Sequence, residues 1–242
     1  MRGAGEVVQA VRGVLGPDLA AAYLADGAVV VVTAGRVEGA RRAELDLLHA
    51  AAGGTWPPVV YADAADLRSP MTLGRRWPRA EAGADRLVDA AGWPNTAEGR
   101  WRLRRTATVL AGPPASDLVA EVDEVALRAE ALGLARDLAE RYDDERGLEP
   151  LPAPTRATRV LTACRLLHTA ARAAVVDDDA AARWALAEPD VLDPRHRPTV
   201  STALAGGEPD DAPTRDLLWD VMRLTGGSAL HQRGRPDRAD GR

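Results

Sequence analysis

Arg159-Val-Leu-Thr-Ala-Cys-Arg165-Leu-Leu-His168-Thr169, followed by Asp179-Ala-Ala-Ala-Arg-Trp184-Ala-Leu186, is the stretch on which the reading of the fold turns. Both pieces read as helices, over Thr155 to Ala174 and Asp179 to Ala187. Pro194 to Ala205 and Pro213 to Thr225 read as two more, the last ended by Gly226-Gly227. Upstream, Ser116 reads as an N-cap, with Leu118, Val122, Val125, Leu132, Leu134 and Leu138 on one face of a helix ending near Gly147. Glu149 to Pro154 is a proline-rich linker. This part of the chain is all-α.

The part before it is different. Glu6 to Leu15 has helical spacing, and Leu19 to Leu24 reads as a second, short helical run. Ala28-Val-Val-Val-Val-Thr33 is continuous and β-branched, as a buried strand is. Val37 to Ala52 is an amphipathic helix closed by Gly53-Gly54. Val59 to Ala62 and Thr106 to Ala111 are further strand candidates. Residues 66–100 are rich in Arg, Gly, Pro and Trp and show no period. The expected organisation is α+β: a mixed-sheet domain over 1–114, an all-α helical bundle over 115–227, and a disordered arginine-rich tail over 228–242.

Composition bounds the function. The chain has 242 residues, 46% hydrophobic and 28% charged, with net charge -5. That is enough to bury roughly 70% of the unfolded surface without a staple. An acidic balance does not suit a nucleic-acid partner. No run of about 18 apolar residues implies a membrane span, and residues 1–16 do not read as a signal peptide, so a cytoplasmic protein is expected. Cys164 is the one cysteine, which excludes an internal disulfide framework. Phe, Ile and Lys are absent and Asn95 is the single asparagine, as a GC-rich genome produces. Without lysine there is no Schiff-base former and no P-loop lysine. No nucleophile elbow and no dinucleotide fingerprint is present.

The quoted stretch resembles the helical C-terminal domain of the aminoglycoside adenylyltransferases that modify streptomycin and spectinomycin. That family carries a similar V-L-T-x-x-R helix, here Val160 to Arg165, and an A-A-x-W-A helix, here Ala181 to Ala185. Val109-Leu-Ala-Gly112-Pro113 is similar to the family's L-x-G-P. Leu24 to Glu44 and Val59 to Pro70 are similar to its strand regions. The resemblance implies a nucleotidyltransferase-type mixed sheet followed by a helical domain, with ATP, magnesium and an aminoglycoside as ligands. Adenylyl transfer there runs on two metal ions held by carboxylates, preceded by a Gly-Ser loop and assisted by a glutamate base.

This sequence departs from that pattern. No Gly-Ser and no Asp-x-Asp precede the valine strand. Asp26 matches the first aspartate and is the candidate metal ligand, but the second falls on Ala28. The base falls on Thr55, and Trp56, Pro57 and Pro58 supply no carboxylate. A family lysine falls on Asp178 and a family tryptophan on Leu167. Such losses predict adenylylation roughly a thousandfold below a competent relative. The candidate substrate-binding residues are Asp177, Asp178, Asp179 and His168, with Arg165 for a nucleotide phosphate. The acids also suit a capped helix N-terminus, Asp26 a turn, and Cys164 beside His168 a packed core. Two functions follow: a nucleotidyltransferase-like protein that has lost its chemistry and binds an aminoglycoside or nucleotide, or an active enzyme with carboxylates relocated among Glu38, Glu44, Asp46, Asp63 and Asp66.

Overall fold

The structure, a computed structural model, describes residues 2–147 and 149–226. The expected tail lies outside them. The chain forms two compact units, Met1–Val122 and Asp123–Arg242.

The first unit runs α1 (Arg2–Leu15), β1 (Leu19–Ala25), β2 (Ala28–Thr33), α2 (Gly39–Ala51), β3 (Val59–Asp63), α3 (Ala64–Arg68), β4 (Trp77–Ala80), β5 (Val88–Ala90), α4 (Ala97–Thr106), β6 (Thr108–Ala111) and α5 (Ala115–Leu118). Its sheet has the order β5-β4-β3-β2-β1-β6. Strands β2 and β3 are parallel, joined through α2, and the other neighbours are antiparallel. The all-valine centre of β2 is explained by burial on both faces. Val29 and Val31 pack with Val59 and Tyr61 under Val7, Val11 and Leu45 of α1 and α2. Val30 and Val32 pack on the other face with Val60, Ala62, Leu67, Trp77 and Leu103. Each valine contributes about 1.5–3 kcal/mol of burial.

Leu19 to Leu24 is strand β1, not the helix its sequence suggests. Alanine and leucine favour helix, but pairing overrides propensity here. Ala25 lies opposite Ala28 across the Asp26-Gly27 turn. Asp26 and Gly27 have φ of 46° and 78°, the left-handed pair of a type I′ hairpin turn, for which Asp-Gly is a favoured sequence. Strand β1 then pairs with β6 on its other edge.

The aperiodic region 66–100 is held by a buried polar network, not by an apolar stripe. Arg100, 1% exposed, donates from Nε to Asn95 Oδ1 at 2.8 Å, and from its terminal nitrogens to Ser69 O and Thr72 Oγ1, each at 2.7 Å. Asn95 Nδ2 donates in turn to Thr72 O and Arg75 O. Burial pulls the Arg100 guanidinium down to about 10, so it is charged at neutral pH.

The second unit is helical: α6 (Glu124–Arg146), α7 (Ala153–Arg172), α8 (Asp178–Ala187), α9 (Arg197–Leu204) and α10 (Asp211–Gly226). Its core joins Leu138 and Tyr142 of α6, Val160, Cys164 and Leu167 of α7, Ala181 and Ala185 of α8, and Leu217 and Val221 of α10. Cys164 is fully buried, and burial pushes its thiol up to about 12. The N-cap of α6 is Asp123, whose Oδ1 accepts Ala126 N at 2.6 Å; Ser116 sits in the short α5 instead. Residues 115–122 belong to the first unit, beyond the junction read from the sequence. Ala120 N donates to Leu67 O at 2.8 Å, Arg104 donates to Val119 O at 2.6 Å, and Val119 is buried in the sheet core. Among the described residues no helix is long and apolar enough to cross a membrane.

Candidate functional site

In the first unit the site expected from the sequence lies at the β1–β2 turn. The hairpin closes through Asp26 and Gly27 alone, so no loop long enough to wrap a phosphate chain intervenes. The Asp26 carboxylate accepts Trp93 Nε1 at 3.0 Å and lies 4.0 Å from Arg102, which also pairs with Glu98 at 2.9 Å. Ala28 and Val30, the next positions on that side of β2, are buried, and Val30 lies beside Val60 of β3. Thr55 donates its hydroxyl to Ala52 O, in the turn after α2.

The relocated carboxylates are dispersed over other tasks. Asp46 accepts Leu87 N at 2.7 Å, and Asp63 caps α3 through Ala65 N at 2.8 Å. Asp66 accepts Trp77 Nε1 at 3.0 Å and pairs with Arg75 at 2.8 Å. Glu38 lies 3.7 Å from Arg36, and Glu44 is exposed on α2. Among the described residues no three His, Cys, Asp or Glu side chains gather as a metal ion needs. The donor set therefore does not fit a pair of magnesium ions, which require hard oxygen ligands converging at about 2.0–2.1 Å.

In the helical unit the candidates from the sequence do come together, around the α7–α8 turn. Arg165 Nε donates to Asp178 Oδ1 at 2.7 Å. Asp177 caps α8, accepting Ala180 N at 2.6 Å. Asp179 pairs with Arg183 one turn later at 3.3 Å. His168 Nδ1 faces Ala174 O at 3.0 Å, which fixes Nδ1 as the protonated nitrogen of a neutral ring. Burial holds His168 below the ordinary histidine range. Its ring meets Trp184 edge to face at 4.9 Å between centroids, and Arg172 covers the same indole at 5.8 Å. Leu167 is core, fully buried.

Two features escaped the sequence. A cleft of about 150 Å3 between α6 and α7 brings Arg141 and Arg159 beside Arg165; helical spacing on two separate helices carries no signal of such a meeting. A larger cavity of about 420 Å3 lies between the loop after α8 and the last turns of α10. Behind it, His196 and Asp220 come from positions 24 apart in the chain.

No protein-family model matches the chain, and no curated protein matches it. Among solved structures it is similar to the spectinomycin adenyltransferase AAD(9) from Enterococcus faecialis, crystallised with ATP and spectinomycin. The TM-score is 0.64 at 10% sequence identity, over 93% of this chain and 99% of that one. The chain thus has an aminoglycoside-adenylyltransferase-like α+β fold: a mixed sheet with helices, followed by a helical region.

Proposed function

We propose that this chain is an aminoglycoside nucleotidyltransferase-like protein that keeps the scaffold without adenylyl transfer, and acts in the cytoplasm as a non-catalytic binder of an aminoglycoside-type cation. The observation that carries the reading is the closure of the β1–β2 hairpin by Asp26 and Gly27 alone, with Ala28 and Val30 following. A phosphate-holding loop and converging carboxylates have no place in that turn. Without a metal clamp, several kcal/mol of transition-state stabilisation are lost.

The ligand class follows from charge. The neighbour in fold was solved with ATP and spectinomycin. Arg165, the one candidate for a nucleotide phosphate, faces a resident carboxylate in Asp178, which weakens its call on a phosphate. The acidic stretch keeps acceptor capacity: Asp177 and Asp179 are exposed, and a carboxylate offers more lone pairs than one hydrogen bond uses. A net charge of -5 also favours approach of a polycation.

Mass spectrometry of streptomycin and spectinomycin, incubated with the protein, ATP and magnesium, tests the reading. The expected result is unmodified antibiotic, with calorimetric binding of one antibiotic in the absence of ATP. An adenylylated product that disappears with Asp26→Ala establishes the active enzyme instead. Unmodified antibiotic with no binding heat removes the binder half of the proposal.

A further inference from the structure

The sheet of the first unit has two edges, closed in different ways. Strand β6 forms one edge. Its pairing with β1 shifts register between Ala22 and Tyr23, and Gly112-Pro113-Pro114 follows it directly. An irregular ladder and nearby prolines both discourage a further strand. Strand β5 forms the other edge and pairs only with β4. No proline and no shift of register interrupts it, and its Val88 is 47% exposed.

Pro78 of β4 lies opposite Asp89 and has no N–H to give. The ladder bonds therefore run through Val88 and Ala90, and the N–H and C=O of Leu87 and Asp89 point to the open side. Such groups are a template for a strand of another molecule. Here side chains occupy them. Asp46 Oδ1 accepts Leu87 N at 2.7 Å, and Arg42 donates from Nη2 to Leu87 O at 3.1 Å. Arg76 donates from Nε and Nη2 to Asp89 O at 3.1 and 2.6 Å. Arg42 also holds the Asp89 carboxylate through Nη1, at 2.8 and 2.9 Å. Arg42 and Asp46 are one turn apart on α2, so a single helix face delivers both. Among the described residues, Asp89 N alone of these outward groups has no partner.

We infer that Arg42, Asp46 and Arg76 act as an autoinhibitory plug on a strand-addition surface, and that the partner they keep out is the β5 edge of a second copy of this chain. Two β5 edges meet antiparallel about a two-fold axis, as identical surfaces do in a closed dimer. Val88 supplies an exposed β-branched residue to the pair. The three side chains make the bonds that a second copy would otherwise make. Being tethered to the same molecule, they compete at high effective concentration, which keeps the edge closed.

Analytical ultracentrifugation of the full chain over a range of concentrations tests this. Asp46→Ala with Arg76→Met opens the edge, and is expected to self-associate at least about tenfold more tightly than the unaltered chain. Asp137→Ala with Arg141→Met removes an exposed pair of the same charges from α6, and is expected to behave as the unaltered chain does. Val88→Lys in the open-edge background is expected to abolish the gain, because like charges then face each other across the new pair. No gain in the open-edge variant, an equal gain in the α6 variant, or a gain that survives Val88→Lys overturns the inference. Where the open-edge variant fails to fold, hydrogen exchange on the unaltered protein decides. The Leu87 amide is expected to be protected and the Asp89 amide to exchange freely at every protein concentration. Protection of Asp89 that rises with concentration, or an unprotected Leu87 amide, overturns the inference.

Discussion

Arg165 of α7 and Asp178 of α8 meet at 2.7 Å, Nε to Oδ1, across the turn that joins the two helices. The pair places a negative group on the guanidinium best suited by sequence to a phosphate. It is partly solvated, with 18% and 38% of the two side chains exposed, so its contribution to stability is small, about 0–1 kcal/mol. Asp178→Asn is expected to leave the urea midpoint nearly unchanged. The same substitution is expected to tighten ATP binding about fivefold, a gain of about 1 kcal/mol. Fluorescence titration with a labelled nucleotide reads this; an unchanged affinity removes Asp178 as the obstacle. The gain disappears in the Arg165→Gln background.

On the proposed reading, a carboxylate placed at position 28 is not expected to create adenylyl transfer. Ala28 is 5% exposed and lies against Ala25. Ala28→Asp buries a charge with no ligand to receive, so it is expected to cost about 2–4 kcal/mol and leave the antibiotic unmodified. Chemical denaturation gives the first value and mass spectrometry the second. A stable variant with a new adenylylated product contradicts this account of the turn.

Stability is expected to fall on mild acidification. Burial holds His49, His168 and His196 below the ordinary histidine range, with the Arg195 guanidinium adding to the effect on His196. The unfolded chain therefore takes up protons first as pH drops. The stabilisation is full above about pH 6.5 and is lost as pH falls through the lower folded values. Asp143, held down by Arg215, responds only below about pH 4. Urea midpoints should be flat from about pH 7 to 8 and decline below 6.5. His49→Gln, which can still hydrogen-bond Tyr61, should flatten part of that decline.

Arg100 organises the aperiodic region of the first unit. Arg100→Met keeps the bulk and takes from Asn95 Oδ1 the guanidinium that donates to it, while Ser69 O still accepts from Thr72 Oγ1. Stranding a buried acceptor costs about 1–3 kcal/mol, so a loss in that range is expected. Hydrogen exchange should localise it to Ser69–Thr106. A loss below about 0.5 kcal/mol shows that water replaces the guanidinium.

How far the fold was legible depended on periodicity. Strands β2 and β3 and the helices α2, α7, α8 and α10 announce themselves by β-branched runs or helical spacing. Strand β1 does not, because Leu19–Ala25 is made of helix-forming residues and becomes a strand only through the Asp26-Gly27 turn and the edge of β6. Region 66–100 does not, because side-chain bonds from Arg100 and Asn95 have no period. Asp123 does not stand out as the cap of α6, because Ser116 is an equally good capping residue nearer the Gly-Pro-Pro break. At the site, the side-chain types at Asp26, Ala28 and Thr55 are legible in the sequence. Partners are not: Trp93 and Asp26 are 67 residues apart, and no local pattern pairs them. The Arg165–Asp178 contact is nearer, but it depends on how the α7–α8 turn folds.

Cys164 offers a way to follow all of this in solution. It is the single thiol of the chain, fully enclosed in the helical core, with its ionisation suppressed by burial. Thiol reagents need the exposed thiolate, so their rate of attack counts how often the α7 core opens. A labelling time course with and without antibiotic or nucleotide thus reads, as a change of rate, whether either binds the helical unit, with no engineered probe and no assumption about catalysis.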